Sequence, residues 1–230
     1  MTARPPGLPS WWEPLLTRVA AARTEDFTPL PPPPDGGRSS AVLVLLGEQR
    51  PNGPDVLVLQ RAATMRNHAG QPAFPGGAAD PDDRDAAATA LREAGEEVGL
   101  DPSSATVLTL LPKLWIPVSN FVVTPVLAWW HAPHPVHPQD PAEVAHVARL
   151  PVGELVDPGN RLQVRHPRSG YVGPAFRVRG MLVWGFTAIV ISKLLDLAGW
   201  SRPWEPTDVL DLPPVAPVLA PGGTPDEVVS

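Results

Sequence analysis

Residues 76–100 read GGAADPDDRDAAATALREAGEEVGL, and this stretch decides the fold. Its second part, residues 85–98, is rich in alanine and carboxylates, which predicts an α-helix. Side chains three and four positions apart on a helix are neighbours, with Cβ atoms ~5–6 Å apart. Glu93, Glu96 and Glu97 are therefore predicted to converge on one face of that helix.

Three carboxylates that lie so close together repel one another unless cations lie between them. Hard divalent ions such as Mg²⁺ prefer oxygen ligands, and they commonly bind through a few carboxylates together with the phosphates of a substrate. The acidic helix face therefore predicts a site at which a metal ion bridges the protein and a phosphate.

The competing interpretation is a solvated helix face, because most Glu-Glu pairs on helices simply meet water. Gly95 lies inside the carboxylate cluster, where it costs the helix ~1 kcal/mol relative to alanine. Taken alone, Gly99 would only stop a helix and the pair Gly76-Gly77 would only form a tight turn. The joint spacing of these features is what indicates a functional site.

The overall composition excludes several classes of protein. The 230 residues include no cysteine, which excludes disulfides, thiolate metal sites and cysteine nucleophiles. The net charge of −6 does not favour nucleic acid or an anionic membrane as a partner, so an anionic substrate requires local cations or metal ions. The longest apolar run, residues 181–191, is about half of the ~20 residues that a membrane span needs. We therefore expect a soluble, cytoplasmic protein without a secretory signal.

Proline divides the chain into three parts. Nine prolines fall in the first 34 residues and seven in the last thirty, which predicts extended or unstructured segments at both ends. We expect one short helix within residues 11–23, N-capped by Ser10 and with Pro14 in its first turn. The resulting parts are a proline-rich arm, a folded domain and a tail that lacks fixed structure: residues 1–36, 37–200 and 201–230.

Between the two ends, the chain alternates apolar runs of strand length with helical segments. Asn52-Gly53 is a turn signal between the first two runs. A second helix is predicted over residues 186–197, ending at Gly199. Two helices interleaved with several strands predict an α+β fold in which helices sandwich a mixed sheet. The predicted strands are residues 41–46, 56–59, 106–111, 121–130, 144–150 and 176–183.

The spacing within residues 77–100 resembles the Nudix box, G-x5-E-x7-R-E-U-x-E-E-x-G-U, in which U is an aliphatic residue. The right-hand half matches at every fixed position from Arg92 to Leu100, with Ala94 as the small aliphatic residue. In the left-hand half, Asp83 replaces the first glutamate, and the following loop has one extra residue. The resemblance therefore includes a shortened first acid.

A second motif lies immediately upstream and resembles the coenzyme A pyrophosphatase branch of the Nudix family. That branch carries the signature L-L-T-x-R-[SA]-x3-R-x3-G-x3-F-P-G-G, and residues 57–77 read LVLQRAATMRNHAGQPAFPGG. The matching positions are Arg61, Ala62, Arg66, Gly70 and residues 74–77. Together the two motifs cover residues 57–100.

The resemblance implies a fold and an activity. The fold is the α/β/α sandwich of the Nudix hydrolases, here over residues 37–200. The activity is hydrolysis of the diphosphate of coenzyme A or acyl-CoA, which yields 3′,5′-ADP and (acyl-)4′-phosphopantetheine. The implied cofactor is Mg²⁺ or Mn²⁺. The family is also compatible with a homodimer, for which the apolar helix carrying Trp11 and Trp12 is a candidate surface.

Roles in the metal site follow from the acidic cluster and the resemblance together. We expect Glu93, Glu96 and Glu97 to bind the metal ions, which polarise the scissile bonds and acidify the attacking water. The family pattern adds a glycine carbonyl, from Gly76 or Gly77, and Asp83 as an outer ligand. Arg92 is expected to be structural, turned away from the immediate face of Glu93 and paired with a carboxylate. The general base is either Glu93 or Glu143.

Substrate contacts are expected from the upstream motif. Arg61 and Arg66 are candidates for binding the 3′-phosphate and the diphosphate of coenzyme A, since the planar arginine fork suits both groups. Gly70 and Phe74 are assigned to substrate binding by the same motif. His68 is expected to make a structural hydrogen bond, and Trp115 is the tryptophan whose position bears most on an adenine stack.

Three alternatives stay open at this point. Ser119-Asn120 departs from the Ser-Gly pair of many relatives, so another Nudix substrate such as ADP-ribose, a dinucleotide or a nucleoside triphosphate is a rival. A catalytically silent nucleotide-binding domain is disfavoured because all three glutamates of the box are intact. A purely structural α/β module would explain neither Gly95 nor the two spaced motifs.

Overall fold

The computed structural model describes residues 4–33, 36–49, 53–65, 68–167, 169–206 and 209–212. Four α-helices lie in these ranges: α1 Trp12–Val19, α2 Ala86–Val98, α3 Val152–Leu155 and α4 Gly185–Ala198. The strands in the first half of the same ranges are β1 Arg38–Gln49, β2 Gly53–Arg61, β3 Pro72–Ala73, β4 Gly76–Ala78, β5 Ala105–Leu110 and β6 Leu114–Ile116. Those in the second half are β7 Phe121–Trp130, β8 Val144–Pro151, β9 Arg161–Arg165, β10 Val172–Val178, β11 Met181–Val183 and β12 Val209–Asp211.

The larger sheet is mixed, as expected. Its strands run in the order β3-β2-β1-β7-β5, with β4 also on β1, β6 also on β7 and β8 also on β2. The pairing of β1 with β7 is parallel, and the other pairings are antiparallel. A smaller sheet, in the order β11-β10-β9-β12, packs beside it.

The strands β1 and β2 separate at one end of the larger sheet. They pair from Leu46 with Val56 to Gln49 with Gly53. Beyond that region, β3 pairs with β2 and β4 pairs with β1, so the segment that contains both short strands lies in the gap. This arrangement places Gly76 and Gly77 inside the sheet, where an apposed helix can reach their backbone.

Alternate residues of β1 supply the cores on the two faces of the larger sheet. Ala41, Leu43 and Leu45 pack in a cluster with buried residues of α2. Val44 and Leu46 pack on the opposite face, in a cluster that contains buried residues of α1 and α4. Each face buries a full row of side chains because successive residues of a strand point to opposite sides. The architecture is therefore the predicted helix–sheet–helix sandwich.

The helix α2 has a defined beginning and end. The carboxylate of Asp85 accepts a hydrogen bond from the backbone N–H of Ala88 at 2.8 Å, which caps the first turn. The helix ends at Gly99, whose φ of +70° is a left-handed conformation that glycine adopts without strain. Ala90 and Ala94 are buried against the sheet together with the side chain of Glu97, and Glu96 lies on the exposed side of the helix. The predicted helix over residues 85–98 is confirmed.

One predicted strand is wrong in form. Residues 176–183 were expected to make a single strand, whereas they belong to a tight hairpin between β10 and β11. The turn is Arg179-Gly180, and both residues have positive φ, 55° and 71°. Two consecutive positive φ values are typical of the two-residue turns that reverse a hairpin. Arginine is not a typical residue at the first position of such a turn, so the sequence does not indicate a hairpin here.

The N-terminal helix also differs from its prediction. It begins at Trp12 and ends at Val19, and its N-cap is Trp11, without a side-chain cap from Ser10. Trp12 is fully buried in the same core as α4, and Trp11 stacks on it with ring centroids 4.7 Å apart. The short helix of the predicted arm therefore packs on the domain core, and Trp12 has no exposed surface to offer a second chain.

The C-terminal segment is structured over part of the predicted tail. The strand β12 pairs in parallel with β9, and Leu212 is only 4% exposed. The guanidinium of Arg161 lies over the ring of Trp204 at 4.8 Å from its centroid. Residues 213–230 of the tail lie outside the described residues. None of the helices in the described ranges is long and apolar enough to cross a membrane.

Alanine substitutions at two leucines near the end of the described chain test the packing of the C-terminal segment. Leu212→Ala is expected to lower the free energy of unfolding by about 2–3 kcal/mol, because it removes a buried side chain from the small sheet. Leu210→Ala is the matched control: Leu210 is 38% exposed, so its loss should cost less than about 0.5 kcal/mol. Urea unfolding of both variants measures the difference. Equal losses would show that this segment does not pack as described.

Candidate active site

The acidic helix face lies directly over the two glycines of β4. The carboxylate Oε2 of Glu97 accepts a hydrogen bond from the backbone N–H of Gly76 at 2.9 Å. Glu97 is only 6% exposed, so this bond satisfies a carboxylate that has little contact with water. The end of the helix and the sheet are therefore joined through a buried carboxylate, whose charged form is costly unless it is paired and hydrogen-bonded.

Gly77 is required by the position of Glu93. A Cβ atom on Gly77 would lie 2.5–2.7 Å from the carboxylate atoms of Glu93, closer than real Cβ atoms approach other groups. Gly76 is enclosed by the main chain: its φ is +156°, and a Cβ atom there would lie 2.6 Å from Cα of Val42. The glycine pair thus forms a cradle in which the carboxylate of Glu93 touches the backbone of the sheet.

Arg61, at the end of β2, contributes a positive charge to the same site. Its Nη1 lies 3.8 Å from Oε1 of Glu97, and its Nε donates to Sδ of Met65 at 3.4 Å. The upstream motif and the acidic helix therefore meet at one carboxylate. This contact brings together a predicted substrate residue and a predicted metal ligand that are far apart in the sequence.

Arg92 makes a denser set of contacts than expected. Its Nε and Nη2 donate to the two carboxylate oxygens of Asp83 at 3.1 and 3.0 Å, and Nη2 also donates to the carbonyl oxygen of Ala78 at 3.2 Å. Its Nη1 donates to Glu93 at 3.1 Å and to Glu96 at 3.0 Å. The expected pairing of Arg92 with a carboxylate is present. Arg92 is not turned away from Glu93 as expected, because its long side chain folds back along the helix surface.

Asp83 lies in the box loop as the partner of Arg92. Both of its carboxylate oxygens accept from the guanidinium, and Oδ2 also accepts from the backbone N–H of Asp80 at 2.9 Å. Hydrogen bonds from Arg92 hold the pKa of this carboxyl well below its usual range. For Asp83 to serve as a metal ligand, as predicted, the pair with Arg92 would have to open.

Burial sets the electrostatics of the acidic cluster. Desolvation raises the pKa of Glu97 to about 7, although the Gly76 N–H and Arg61 act in the opposite direction. Burial also raises the pKa of Glu93, partly offset by Arg92. Both groups are thus carboxylates whose charged form lacks sufficient stabilisation from the surrounding protein.

Glu143 lies at the edge of this cluster. Its carbonyl oxygen accepts from the backbone N–H of Ala62 at 2.8 Å, which fixes its loop beside the residue that follows Arg61. Its side chain is exposed, and its charge contributes to the raised pKa of Glu97. The structure therefore places this candidate base close to the acids of the helix.

The remaining substrate residues have different environments. Arg66 lies outside the described residues. Gly70 has a φ of +66° and accepts from Nε2 of Gln60 at 3.2 Å, so it shapes the loop after β2. Phe74 is 2% exposed and packs in the core on the α4 side, and its substrate contact stays a prediction. Gln60 is a further residue at this site, and its one signal in the sequence is a polar side chain at a buried strand position.

Two further residues that the sequence singles out make local side-chain contacts. Nδ1 of His68 lies 2.9 Å from Oε1 of Gln71, a local structural contact. Nε1 of Trp115 donates to Oδ1 of Asn120 at 3.2 Å. Asn120 has a φ of +53°, a left-handed conformation that glycine adopts more readily than other residues.

The acids could accept a hard divalent ion after rearrangement. Among the residues that the structure describes, no three His, Asp or Glu side chains are arranged to hold a metal ion as they stand. The reason is that Nη1 of Arg92 lies between Glu93 and Glu96, while Arg61 lies beside Glu97. The donor set itself fits, because carboxylate oxygens in a glycine cradle with poorly compensated charge are suitable ligands for Mg²⁺ or Mn²⁺.

Comparisons with known proteins bear on the family of the chain. The NUDIX domain family matches residues 37–169. The chain is 37% identical over 172 residues to the "Uncharacterized Nudix hydrolase NudL" of Photorhabdus laumondii, which covers 72% of this chain and 89% of that protein. It is 41% identical over 163 residues to the protein of the same name from Cronobacter sakazakii, with coverages of 68% and 81%. A crystal structure of the Nudix hydrolase RenU from M. smegmatis is similar with a TM-score of 0.48 and 19% identity, covering 73% of this chain and 89% of that one.

Proposed function

The chain belongs to the NUDIX family and is a Nudix pyrophosphohydrolase, and on that premise we propose that its substrate is coenzyme A or an acyl-CoA. The products would be 3′,5′-ADP and (acyl-)4′-phosphopantetheine. We also place the reaction in the cytoplasm. The observation that carries this proposal is the meeting of Arg61, from the upstream motif, with Glu97 and Gly76 of the box.

Nudix hydrolases generally use divalent metals, and Glu93, Glu96 and Glu97 would hold them here. The ion would be Mg²⁺ or Mn²⁺, with a carbonyl of Gly76 or Gly77 as a further ligand. When bound, it supplies Lewis-acid polarisation of the phosphate and an acidified water. The protein contributes the orientation of that water, for which Glu93 and Glu143 are the two candidate bases.

Arg61 and Arg66 would neutralise the phosphates of the substrate. The guanidinium of Arg61 lies at the rim of the acidic cluster, with 24% of its side chain exposed, so a phosphate can reach it from solvent. The planar fork of arginine binds two phosphate oxygens at once. Arg92 is committed to the box loop through Asp83 and Ala78, so it would hold the ligands in place without binding substrate.

Asn120 favours one second candidate, a different nucleoside diphosphate derivative such as ADP-ribose or a dinucleotide. It replaces the glycine of many relatives and bonds to Trp115, which changes a hairpin at the end of the sheet where Gly76 and Gly77 lie. A panel of substrates separates this candidate from coenzyme A.

Product analysis by mass spectrometry tests the proposal. The protein is incubated with coenzyme A and Mn²⁺ or Mg²⁺, beside a sample with EDTA, a Glu96→Gln variant, and a panel with ADP-ribose and dinucleotides. We expect metal-dependent release of 3′,5′-ADP and 4′-phosphopantetheine that is lost with EDTA and strongly reduced in the variant. Turnover of another panel member without turnover of coenzyme A would refute the substrate and keep the reaction class.

A further inference from the structure

The acidic cluster contains two arginines that are held very differently. Arg92 donates to three carboxylates and one carbonyl at distances of 3.0–3.2 Å. Arg61 approaches Glu97 only to 3.8 Å, which is an ion pair without a close hydrogen bond. Its other contact is a weak one to the sulfur of Met65. One guanidinium is therefore anchored, and the other is free to turn.

The carboxylate that Arg61 faces is the one that most needs a cation. The side chain of Glu97 is 6% exposed, whereas that of Arg61 is 24% exposed. A buried carboxylate without a nearby cation is strongly destabilised. Among the described residues, Arg61 supplies the arginine or lysine charge within 4 Å of Glu97. This arginine therefore stabilises the cluster in the absence of a metal ion.

A divalent ion at Glu97 would reverse this relationship. The ion satisfies the carboxylate more strongly than a guanidinium at 3.8 Å does, and it repels the adjacent positive charge. Arg61 would then lose its partner at the moment when a phosphate-bearing ligand for the same metal needs a cation. Its place at the end of a strand, before the loop after β2, allows the guanidinium to move without disturbing the sheet.

We propose that Arg61 is a placeholder cation: it pairs with Glu97 until a divalent ion takes that carboxylate, and it then binds the diphosphate of the substrate. This role rests on the proposed function in one respect: the ligand must carry a diphosphate that contacts the bound metal ion. Because the same guanidinium cannot serve both partners, binding of metal and binding of diphosphate reinforce each other through it. Arg61 is in this sense a residue that couples two ligands.

The first test measures Mn²⁺ binding to the nucleotide-free protein by electron paramagnetic resonance of the free ion. Arg61→Gln removes the competing cation, so it should bind Mn²⁺ roughly fivefold to tenfold more tightly than the wild type. Arg84→Gln is the matched control, because it removes one positive charge from an exposed residue of the box loop that pairs with Asp85. It should change the affinity less than about twofold.

The second test repeats the titration with methylenediphosphonate, a diphosphate that is not hydrolysed at its bridge. The wild type and Arg84→Gln should gain more Mn²⁺ affinity from this ligand than Arg61→Gln does. Arg61→Lys keeps the charge and should retain wild-type Mn²⁺ affinity in the free protein. That result would show that the effect of Arg61→Gln comes from the lost charge and not from a disturbed fold.

Two outcomes would overturn the inference: Mn²⁺ binding by Arg61→Gln that is no tighter than in the control, or an equal gain from methylenediphosphonate in all variants. Neither readout uses coenzyme A. If coenzyme A is not hydrolysed but Arg61→Gln behaves as expected, the substrate proposal fails and the coupling role of Arg61 stands.

Discussion

Glu97→Gln is expected to lower the rate of metal-dependent diphosphate hydrolysis about 10²–10³-fold. Removing one group that stabilises charge in a transition state commonly slows turnover by this factor. The substitution keeps the size of the side chain, and the amide oxygen can still accept from the N–H of Gly76. It removes only the negative charge that a divalent ion requires. The measurement is the rate of product release with saturating Mn²⁺.

The same variant should be more stable than the wild type when no metal is present. Glu97 is a buried carboxylate whose charge is opposed by desolvation and by its neighbours Glu93 and Glu143. A neutral glutamine does not carry this cost, so the melting temperature in EDTA should rise by about 2–4 °C. Higher stability with lower activity would identify the charge as functional, because a structural carboxylate would lower both when removed.

Glu25→Gln serves as the control for this experiment. Glu25 is an exposed acid whose contact is a long ion pair with Arg23 at 3.7 Å. Its loss should change neither rate nor melting temperature measurably. If Glu97→Gln retained full activity, the metal site would have to lie elsewhere, and the assignment of this carboxylate would be wrong.

The acidic helix was predictable because its information is local. The i, i+3 and i, i+4 spacing places Glu93, Glu96 and Glu97 together on any regular helix. Asp85 and Gly99 define the ends by their own capping chemistry. The two helices and the mixed sheet follow from apolar runs long enough to show a period.

Short strands could not be predicted in this way. The strands β3 and β4 have two and three residues, too few to show a period of two. They exist because β1 and β2 separate and leave unpaired backbone groups that the intervening segment satisfies. That cause is long-range pairing, which no window of sequence contains.

Long-range packing also decides the arrangement of the described parts of the proline-rich ends. Composition predicts an extended arm and a tail, but a few apolar residues such as Trp12 and Leu212 find buried positions in the domain. In the site, spacing predicted which acids converge but not that Arg92 would bridge Glu93 and Glu96. The reach of a long flexible side chain depends on its tertiary surroundings, here the Asp83 loop.

Alanine substitutions at three glycines of the box should have three distinct effects. Gly76→Ala is expected to be the most destabilising, by about 3 kcal/mol or more. The new Cβ would collide with the carbonyl oxygen of Ala41 and lie 2.6 Å from Cα of Val42. Both atoms belong to the backbone of β1, which cannot move away because it is paired with β7 along its other edge.

Gly77→Ala should instead affect activity more than stability. The atoms that its Cβ would meet are those of the Glu93 carboxylate, the mobile end of a side chain. That carboxylate can turn aside, so the cost to folding should stay near 1 kcal/mol, an ordinary value for a point mutation. Because Glu93 would leave the glycine cradle, hydrolysis should fall about 10²-fold. Urea unfolding and the Mn²⁺-dependent rate are measured on the same preparations.

Gly95→Ala completes the series as the control for stability. The nearest atom to its new Cβ is the carbonyl oxygen of Leu100 at 3.6 Å, which is ordinary van der Waals contact. Alanine is favoured over glycine inside a helix, so this variant should gain about 1 kcal/mol of stability. The expected order of stability follows from the atoms that each new Cβ contacts. Gly95→Ala should be more stable than the wild type, Gly77→Ala less stable, and Gly76→Ala the least stable. Similar losses at Gly76 and Gly77 would mean that Glu93 cannot turn aside, and the carboxylate would then be a rigid part of the sheet contact instead of a group free to meet a metal ion.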